Sequence, residues 1–204
     1  MKIGDARLLL VTDARPDLVE RVGSAVRGGV DIVQLRDKRS PRERLVPLAE
    51  ELKEACGRAG ALFTVNDDVE LARLVGAGGV HLGEDDAPTS HARGVLGPDV
   101  LVGRSAGGVA GALEAVRGGA DYLGVGAVFA TPTKPDGEVA GLDLIRALAR
   151  EDLPVPWFAI GGVTLETAPS VAAAGAPGFA VVRAVLDAED PGAAALELRR
   201  NLRP

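Results

Sequence analysis

The sequence alternates between short apolar runs and amphipathic segments along almost its whole length. Eight runs of four to six residues, rich in Val, Ile, Leu and Phe, are typical of buried strands. A segment with apolar residues at helical spacing follows each of them. Eight strands alternating with helices predict a closed (β/α)8 TIM barrel, with a doubly wound open sheet as the alternative. The predicted strands cover residues 8–12, 30–35, 61–65, 79–82, 100–103, 122–125, 156–160 and 179–182.

Length and composition favour one globular domain. The 204 residues contain no linker, so residues 1–204 are predicted to form a single TIM-barrel domain. A formal net charge of −6 disfavours general binding to nucleic acid or to an anionic membrane. No long apolar span is found, and the first residues lack the pattern of a secretory signal, so a cytoplasmic protein is expected. The single cysteine, Cys56, excludes an internal disulfide.

Most of the distinctive polar residues follow the predicted strands rather than precede them. In a barrel, the carboxyl ends of the strands form one rim, which is where barrel enzymes place their active sites. Gln34, Arg36 and Lys38 alternate at the end of the second strand and bring an amide and two cations to one spot. Arg and Lys together suit a polyanionic ligand. Other strands are followed by Asn66, Asp67, Asp86, Ser105, Thr131, Thr133, Lys134 and Arg183.

Asp67 and Asp86 are the candidate metal ligands. Mg²⁺ takes one or two protein carboxylates and completes its octahedron with water and substrate phosphate oxygens. The alternative for Asp67 is to cap the helix that begins near Val69, but Asp68 can take that role and leave Asp67 free. The sequence therefore predicts a Mg²⁺ site after the third and fourth strands.

A second anion-binding region is predicted after strands six to eight. The loop over residues 126–140 is long beside the other connections and carries Thr131, Thr133 and Lys134. Gly162 belongs to a Gly-Gly pair that would let backbone N–H groups approach a phosphate.

The sequence offers no convincing general base. No Ser/His/Asp set or Cys/His pair occupies matching positions, and His81 and His91 are interpreted as structural residues. Two anion-binding regions without a base favour a reaction in which a diphosphate leaves and a second phosphorylated molecule attacks.

These segments together resemble the thiamine phosphate synthase family, and the match runs in order along nearly the whole chain. The resemblance implies a Mg²⁺-dependent transferase on a (β/α)8 barrel. Such an enzyme joins hydroxymethylpyrimidine diphosphate to hydroxyethylthiazole phosphate and releases pyrophosphate through a pyrimidine methylene cation. The segments that carry it are Gln34-Leu35-Arg36-Asp37-Lys38, Asn66-Asp67, residues 80–86, Gly103-Arg104-Ser105, residues 124–134 and residues 160–163.

The same resemblance assigns the site residues. It places Mg²⁺ on Asp67 and Asp86, and it implies that small phosphorylated substrates are the partners. Because members of the family often associate, a homo-oligomer is also open. Catalytic roles are implied for Arg36, Lys38, Ser105 and Lys134. Substrate binding is implied for Gln34, Leu35, Arg36, Asp37, Lys38, Asn66, Ser105, Thr131, Thr133, Lys134, Gly162, Val182 and Arg183.

The chain departs from the family pattern at three places. Glu84 stands where members often have Gln, Arg183 where many have Ser, and residues 106–108 lack the His often found after the Ser. Two alternatives therefore stay open, a thiazole tautomerase-like barrel and a non-catalytic barrel that binds phosphorylated ligands. The full set of Gln34, Arg36 and Lys38 disfavours the first, and the carboxylate pair disfavours the second.

Overall fold

The computed structural model describes residues 3–132 and 138–202, and it confirms the closed barrel. Eight parallel strands pair in chain order, and the last strand closes on the first. None of the described helices is both long and apolar enough to span a membrane. The strands are β1 (Leu8–Val11), β2 (Ile32–Leu35), β3 (Leu62–Asn66), β4 (Gly79–Leu82), β5 (Leu101–Ala106), β6 (Tyr122–Val125), β7 (Trp157–Ile160) and β8 (Phe179–Val181).

Helices surround the barrel and connect its strands. A short 3₁₀ helix (Ile3–Asp5) precedes β1, and two helices rather than one follow β8. The α-helices are α1 (Leu18–Arg27), α2 (Arg42–Arg58), α3 (Val69–Val75), α4 (Thr89–Leu96), α5 (Val109–Arg117), α6 (Gly141–Leu148), α7 (Ala168–Ala173), α8 (Arg183–Leu186) and α9 (Pro191–Arg200).

The structure corrects several predicted boundaries near the rim. β3 includes Asn66 and β5 continues through Ser105 to Ala106, so these two polar side chains belong to strands rather than to the loops after them. The short helix α8, which begins at Arg183, was not predicted, because four residues are too few to show helical periodicity.

The strand side chains alternate between an outer core and an inner core. Outward residues such as Val33 and Leu35 pack against the helices. Inward residues fill the barrel and include Leu9, Ile32, Tyr122 and Phe158. Because side chains on a strand alternate, Gln34 shares the inward direction of Ile32. It is only 3% exposed.

At the amino ends of the strands, two aspartates accept hydrogen bonds from the backbone of neighbouring strands. Asp31 accepts the N–H groups of Arg7 and Leu8 at 2.7 and 3.0 Å, and the guanidinium of Arg199 at 2.6 Å. Asp121 likewise accepts the N–H of Val102 at 2.6 Å. Both aspartates lie two residues after a Gly-Gly pair, so the same turn is used at two of the junctions between a helix and the following strand. This end stabilises the barrel and lies opposite the polar rim.

We expect Asp31→Ala to lower the free energy of unfolding by about 2–3 kcal/mol, because two backbone donors and Arg199 lose their shared acceptor. Urea denaturation would measure the change. Glu54→Ala is the matched control, since its ion pair with Arg58 is exposed and should change stability by less than about 0.5 kcal/mol. Equal losses in the two variants would contradict this role of Asp31.

Candidate active site

The end of β2 delivers the predicted cations to the carboxyl rim. The N–H of Arg36 donates to the hydroxyl of Thr12 at 3.0 Å, which ties the residue to the end of β1. The Arg36 guanidinium has no partner within residues 3–132 and 138–202, so it is available to a ligand. Lys38 reaches across to β3, where its Nζ lies 3.3 Å from Oδ2 of Asp67. The structure thus brings Lys38 and the first candidate metal ligand together.

Asp67 and Asp86 stand next to each other at the ends of β3 and β4. The N–H of Asp67 donates to the carbonyl of His81 on β4 at 2.8 Å, and Asp67 has a positive φ of 62°. Asp86 accepts the N–H of Gly83 at 2.6 Å, which closes the turn after β4. Two neighbouring loops therefore aim one carboxylate each at the same point.

The two carboxylates perturb each other. Burial raises the pKa of Asp67, and the adjacent Asp86 raises it further. Burial also acts to raise the pKa of Asp86, but its interaction with Asp67 and the N–H of Gly83 outweigh this and lower it. Like charges at close range favour one shared proton or one bound cation. Within the described residues no cluster of three or more His, Cys, Asp or Glu side chains forms a metal site, so a cation here would rely on these two carboxylates.

The neighbouring acidic residues shape the loops. Asp68 accepts the N–H of Leu71 at 2.9 Å and caps α3, which confirms that Asp67 is left free of that role. Asp37 accepts the N–H groups of Arg39 and Ser40, and these contacts lower its pKa against the effect of burial, which is the largest cause and raises it. Asp37 therefore fixes the loop that carries Lys38. A cavity of about 300 Å³ opens between these loops and is lined by Lys38, Asn66 and Asp67 among others.

The loops after β6 and β7 pack directly on each other. Val128 and Phe129 donate their N–H groups to the carbonyls of Ile160 and Gly161, both at 2.9 Å. Gly162 has a φ of +65°, and a Cβ there would come within 2.6 Å of Phe129 Cβ. Glycine is therefore required at this position by both conformation and space.

Val182 and Arg183 lie at the start of α8. Val182 is the N-cap of this helix, and its side chain packs against the inner core of the barrel. The first N–H groups of a helix have no partner within the helix. Thr131 lies in the loop after β6, whereas the predicted site residues Thr133 and Lys134 lie outside the described residues.

A polar chain leads from the barrel interior to the rim. His81 on β4 is 7% exposed, and its Nε2 lies 3.1 Å from Oγ of Ser105 on β5. The ring of Tyr122 lies beside the His81 ring with centroids 5.5 Å apart. Burial lowers the pKa of His81 to about 4, and the charge of Arg104 adds to this effect.

Comparison with known proteins identifies the family of the chain. The family model described as thiamine monophosphate synthase matches residues 8–185. The chain belongs to the thiamine monophosphate synthase family.

Individual relatives match the chain over nearly its full length. It is 48% identical to a thiamine-phosphate synthase of Thermobifida fusca, with 98% of this chain and 94% of that protein covered. It is also 48% identical to a thiamine-phosphate synthase of Gloeobacter violaceus, where 94% of this chain corresponds to 56% of that protein. The chain thus spans little more than half the length of that relative. A solved thiamine phosphate pyrophosphorylase of Pyrococcus furiosus superposes with a TM-score of 0.87 at 37% identity, covering 97% of this chain and 96% of that one.

The structure refines two of the sequence predictions. Leu35 is 2% exposed and faces the helices, so only its backbone can face a ligand at the rim. Glu84, which departs from the family pattern, accepts the N–H of Gly107 at the start of the loop before α5. Its carboxylate is therefore engaged across the β4–β5 rim rather than left free beside Asp86.

Sequence reasoning missed the contacts below the rim. Thr12 and Tyr122 were not singled out as polar site residues, and His81 was interpreted as structural. The alternation of inward positions could have indicated His81, since it is the penultimate residue of β4 and pairs with Gly103 on β5.

Acid should destabilise the fold through His81. Its pKa of about 4 in the folded chain lies below its ordinary value of 6.5, so the unfolded chain binds the proton first. We therefore expect the stability that His81 contributes to fall by roughly 3 kcal/mol as the pH drops from 6.5 to 4. Urea denaturation of the parent chain and of His81→Gln across this pH range measures the effect. The difference in free energy of unfolding between the two proteins should change with pH. A difference that stays constant from pH 6.5 to 4 would show that another group is responsible.

Proposed function

We propose that the chain condenses hydroxymethylpyrimidine diphosphate with hydroxyethylthiazole phosphate to give thiamine phosphate and pyrophosphate. The observation that carries the proposal is the junction of β2, β3 and β4. There, Lys38 contacts Asp67 beside Asp86, and Arg36 is unpaired within the described residues. Such a mixture of cations and paired carboxylates suits a diphosphate that binds together with a divalent cation.

The two cations would bind the departing diphosphate. Arg36 offers a planar fork for two phosphate oxygens, and Lys38 offers a movable point charge. Lys38 is 62% exposed at its side chain, so its ion pair with Asp67 is weak and can be exchanged for a ligand oxygen. Lys134 would add a third cation from the loop after β6, as the resemblance implies.

Asp67 and Asp86 fit a Mg²⁺ ion. Two adjacent carboxylates with perturbed pKa values meet the number of protein ligands that Mg²⁺ ordinarily takes when phosphate oxygens complete its shell. When bound, the metal would neutralise negative charge that develops on the leaving pyrophosphate.

The thiazole phosphate would bind on the opposite side of the mouth, which is the opening of the barrel that the carboxyl rim surrounds. Gly162 lies in the loop after β7, and Arg183 begins the short helix α8 directly after β8. The loops after β7 and β8, with a short extra helix, form the phosphate site in many barrels. Thr131 and Thr133 would contribute hydroxyls from the loop after β6.

The reaction needs positioning and charge stabilisation rather than a base. The C–O bond between the pyrimidine methylene and the diphosphate breaks, and pyrophosphate takes the electron pair. The thiazole nitrogen then donates its lone pair to the methylene cation, so no proton has to be removed. Arg36 and Lys38 stabilise the leaving group, while the barrel holds the two partners in line.

The direct test is to incubate the chain with both phosphorylated precursors and Mg²⁺ and to measure thiamine phosphate and pyrophosphate. We expect the two products in equal amounts. Arg36→Ala should lower kcat/KM by about 100-fold or more, because a charged contact to the leaving group is lost. Arg39→Ala, an exposed neighbour, is the matched control and should keep near-parental activity. The absence of both products from the parent chain would refute the proposed function.

The carboxylate pair gives a second prediction. Treatment with EDTA should abolish product formation, and added Mg²⁺ should restore it. Asp86→Asn should lower kcat by about 100-fold or more, because one charged ligand is lost while the amide oxygen can still accept the N–H of Gly83. Asp85→Asn changes the exposed neighbour and serves as the control. Full activity of metal-free protein, or equal losses in the two variants, would count against a metal at this site.

A further inference from the structure

His81 lies directly beneath Ser105, a residue to which the family resemblance assigns a role in binding substrate. Its ring occupies the barrel interior, and Nε2 is 3.1 Å from the hydroxyl oxygen of Ser105 on the next strand. Ser105 itself is half-buried, so its hydroxyl has the His81 ring on one side and the rim on the other. The two residues form a hydrogen-bonded step between the core and the mouth.

The neighbouring strands β5 and β6 carry glycines where they face this ring. A Cβ on Gly103 would overlap the ring of Tyr122 and come within 2.6 Å of Nδ1 of His81. A Cβ on Gly124 would lie 3.3 Å from Cε1 of the same ring. Glycine inside a strand weakens it and marks a close approach by another group. Glycine at these two positions therefore leaves the room that the His81 and Tyr122 rings occupy.

Two polar atoms of this cluster are buried in the barrel interior. Nδ1 of His81 and the hydroxyl of Tyr122 are buried and lack a hydrogen-bond partner within the described part of the chain. Thr64 and Gln34 are the polar neighbours of that hydroxyl, and they lower the pKa of Tyr122 against the effect of burial, which raises it. Unpaired buried polar atoms carry a free-energy penalty that an apolar ring would avoid, so their presence calls for another role.

We propose that His81 is a positioning residue that holds the Ser105 hydroxyl so that its hydrogen points into the mouth and donates to an acceptor atom of the pyrimidine diphosphate. The substrate in this statement rests on the proposed function. The hydrogen-bond direction between His81 and Ser105 rests on the structure alone.

The unpaired nitrogen fixes the direction of the hydrogen bond. A buried N–H without an acceptor is rarer in proteins than an acceptor without a donor, so the lone pair belongs on Nδ1 and the proton on Nε2. Nε2–H then donates to Oγ of Ser105. The Ser105 hydroxyl uses an oxygen lone pair for this bond and keeps its own hydrogen for a group on the open side. The ligand must supply an acceptor there, either a ring nitrogen or a phosphate oxygen.

Nitrogen-15 NMR of the imidazole side chains tests the direction without any substrate. The chain has two histidines, and the exposed His91 provides the reference signal. At pH 7 we expect His81 to be the neutral Nε2–H tautomer, and Ser105→Ala should shift the Nε2 resonance. The Nδ1–H tautomer, or an Nε2 resonance that ignores Ser105→Ala, would overturn the proposal.

A double-mutant cycle on kcat/KM tests the action through Ser105. His81→Leu should lower kcat/KM about tenfold in the parent chain, the loss expected for one hydrogen bond. The same change should have less than a twofold effect when Ser105 is already Ala. His81→Gln, whose amide can donate near the position of Nε2, should recover most of the activity, and His91→Gln should leave it unchanged.

A purely structural role for His81 would give a different pattern, with equal losses in the parent and the Ser105→Ala background and no recovery by His81→Gln. That result would overturn the proposal even if the chain makes thiamine phosphate. If the parent chain makes none, the proposed function fails on its own, and the NMR result still decides the hydrogen-bond direction. If His81→Leu does not fold, the test rests on the activity of His81→Gln and on the tautomer of His81 measured by NMR.

Discussion

Closure of a parallel barrel is the constraint on which the site depends. Because every strand runs the same way and the last pairs with the first, all eight carboxyl ends must meet at one rim. Side-chain alternation then divides each strand into residues that pack under the helices and residues that fill the barrel. Leu35 and Gln34 are adjacent in the chain yet belong to different cores for this reason alone. The rim inherits Arg36, Lys38, Asp67 and Asp86 from loops that this geometry forces together.

The rim of the barrel carries charges of both signs. The chain as a whole is acidic, with a formal net charge of −6, but the rim carries the cations Arg36 and Lys38 as well as two carboxylates, whose interaction raises the pKa of Asp67 and lowers that of Asp86. A diphosphate with a divalent cation would satisfy both signs at once. The opposite end of the barrel is different, because Asp31 there is fully engaged by backbone donors and Arg199. Charge at one end builds the fold, and charge at the other remains available for chemistry.

Local sequence predicted most of the fold, since β4 and β6 have the predicted bounds and α3 begins at Val69 as expected. It also predicted that Asp68 can cap α3 in place of Asp67, and the structure confirms the Asp68 cap. Local sequence could not predict the pairing register of the strands or how deeply each side chain lies in the barrel. Ser105 was assigned to a loop because its polarity hides a strand that continues to Ala106. The contact between His81 and Ser105 could not be predicted, because the two residues are 24 positions apart and only the pairing of β4 with β5 brings their side chains together. The four-residue helix α8 had no periodicity to detect.

The claim at the centre of this account is that one mouth binds a metal and a diphosphate between the ends of β2, β3 and β4. Crystals grown with Mn²⁺ and pyrophosphate, with diffraction data collected at the manganese absorption edge, measure this directly. The account predicts one strong anomalous peak between the carboxylates of Asp67 and Asp86, with pyrophosphate oxygens in contact with Arg36 and Lys38. Manganese or pyrophosphate bound only elsewhere on the molecule would contradict it.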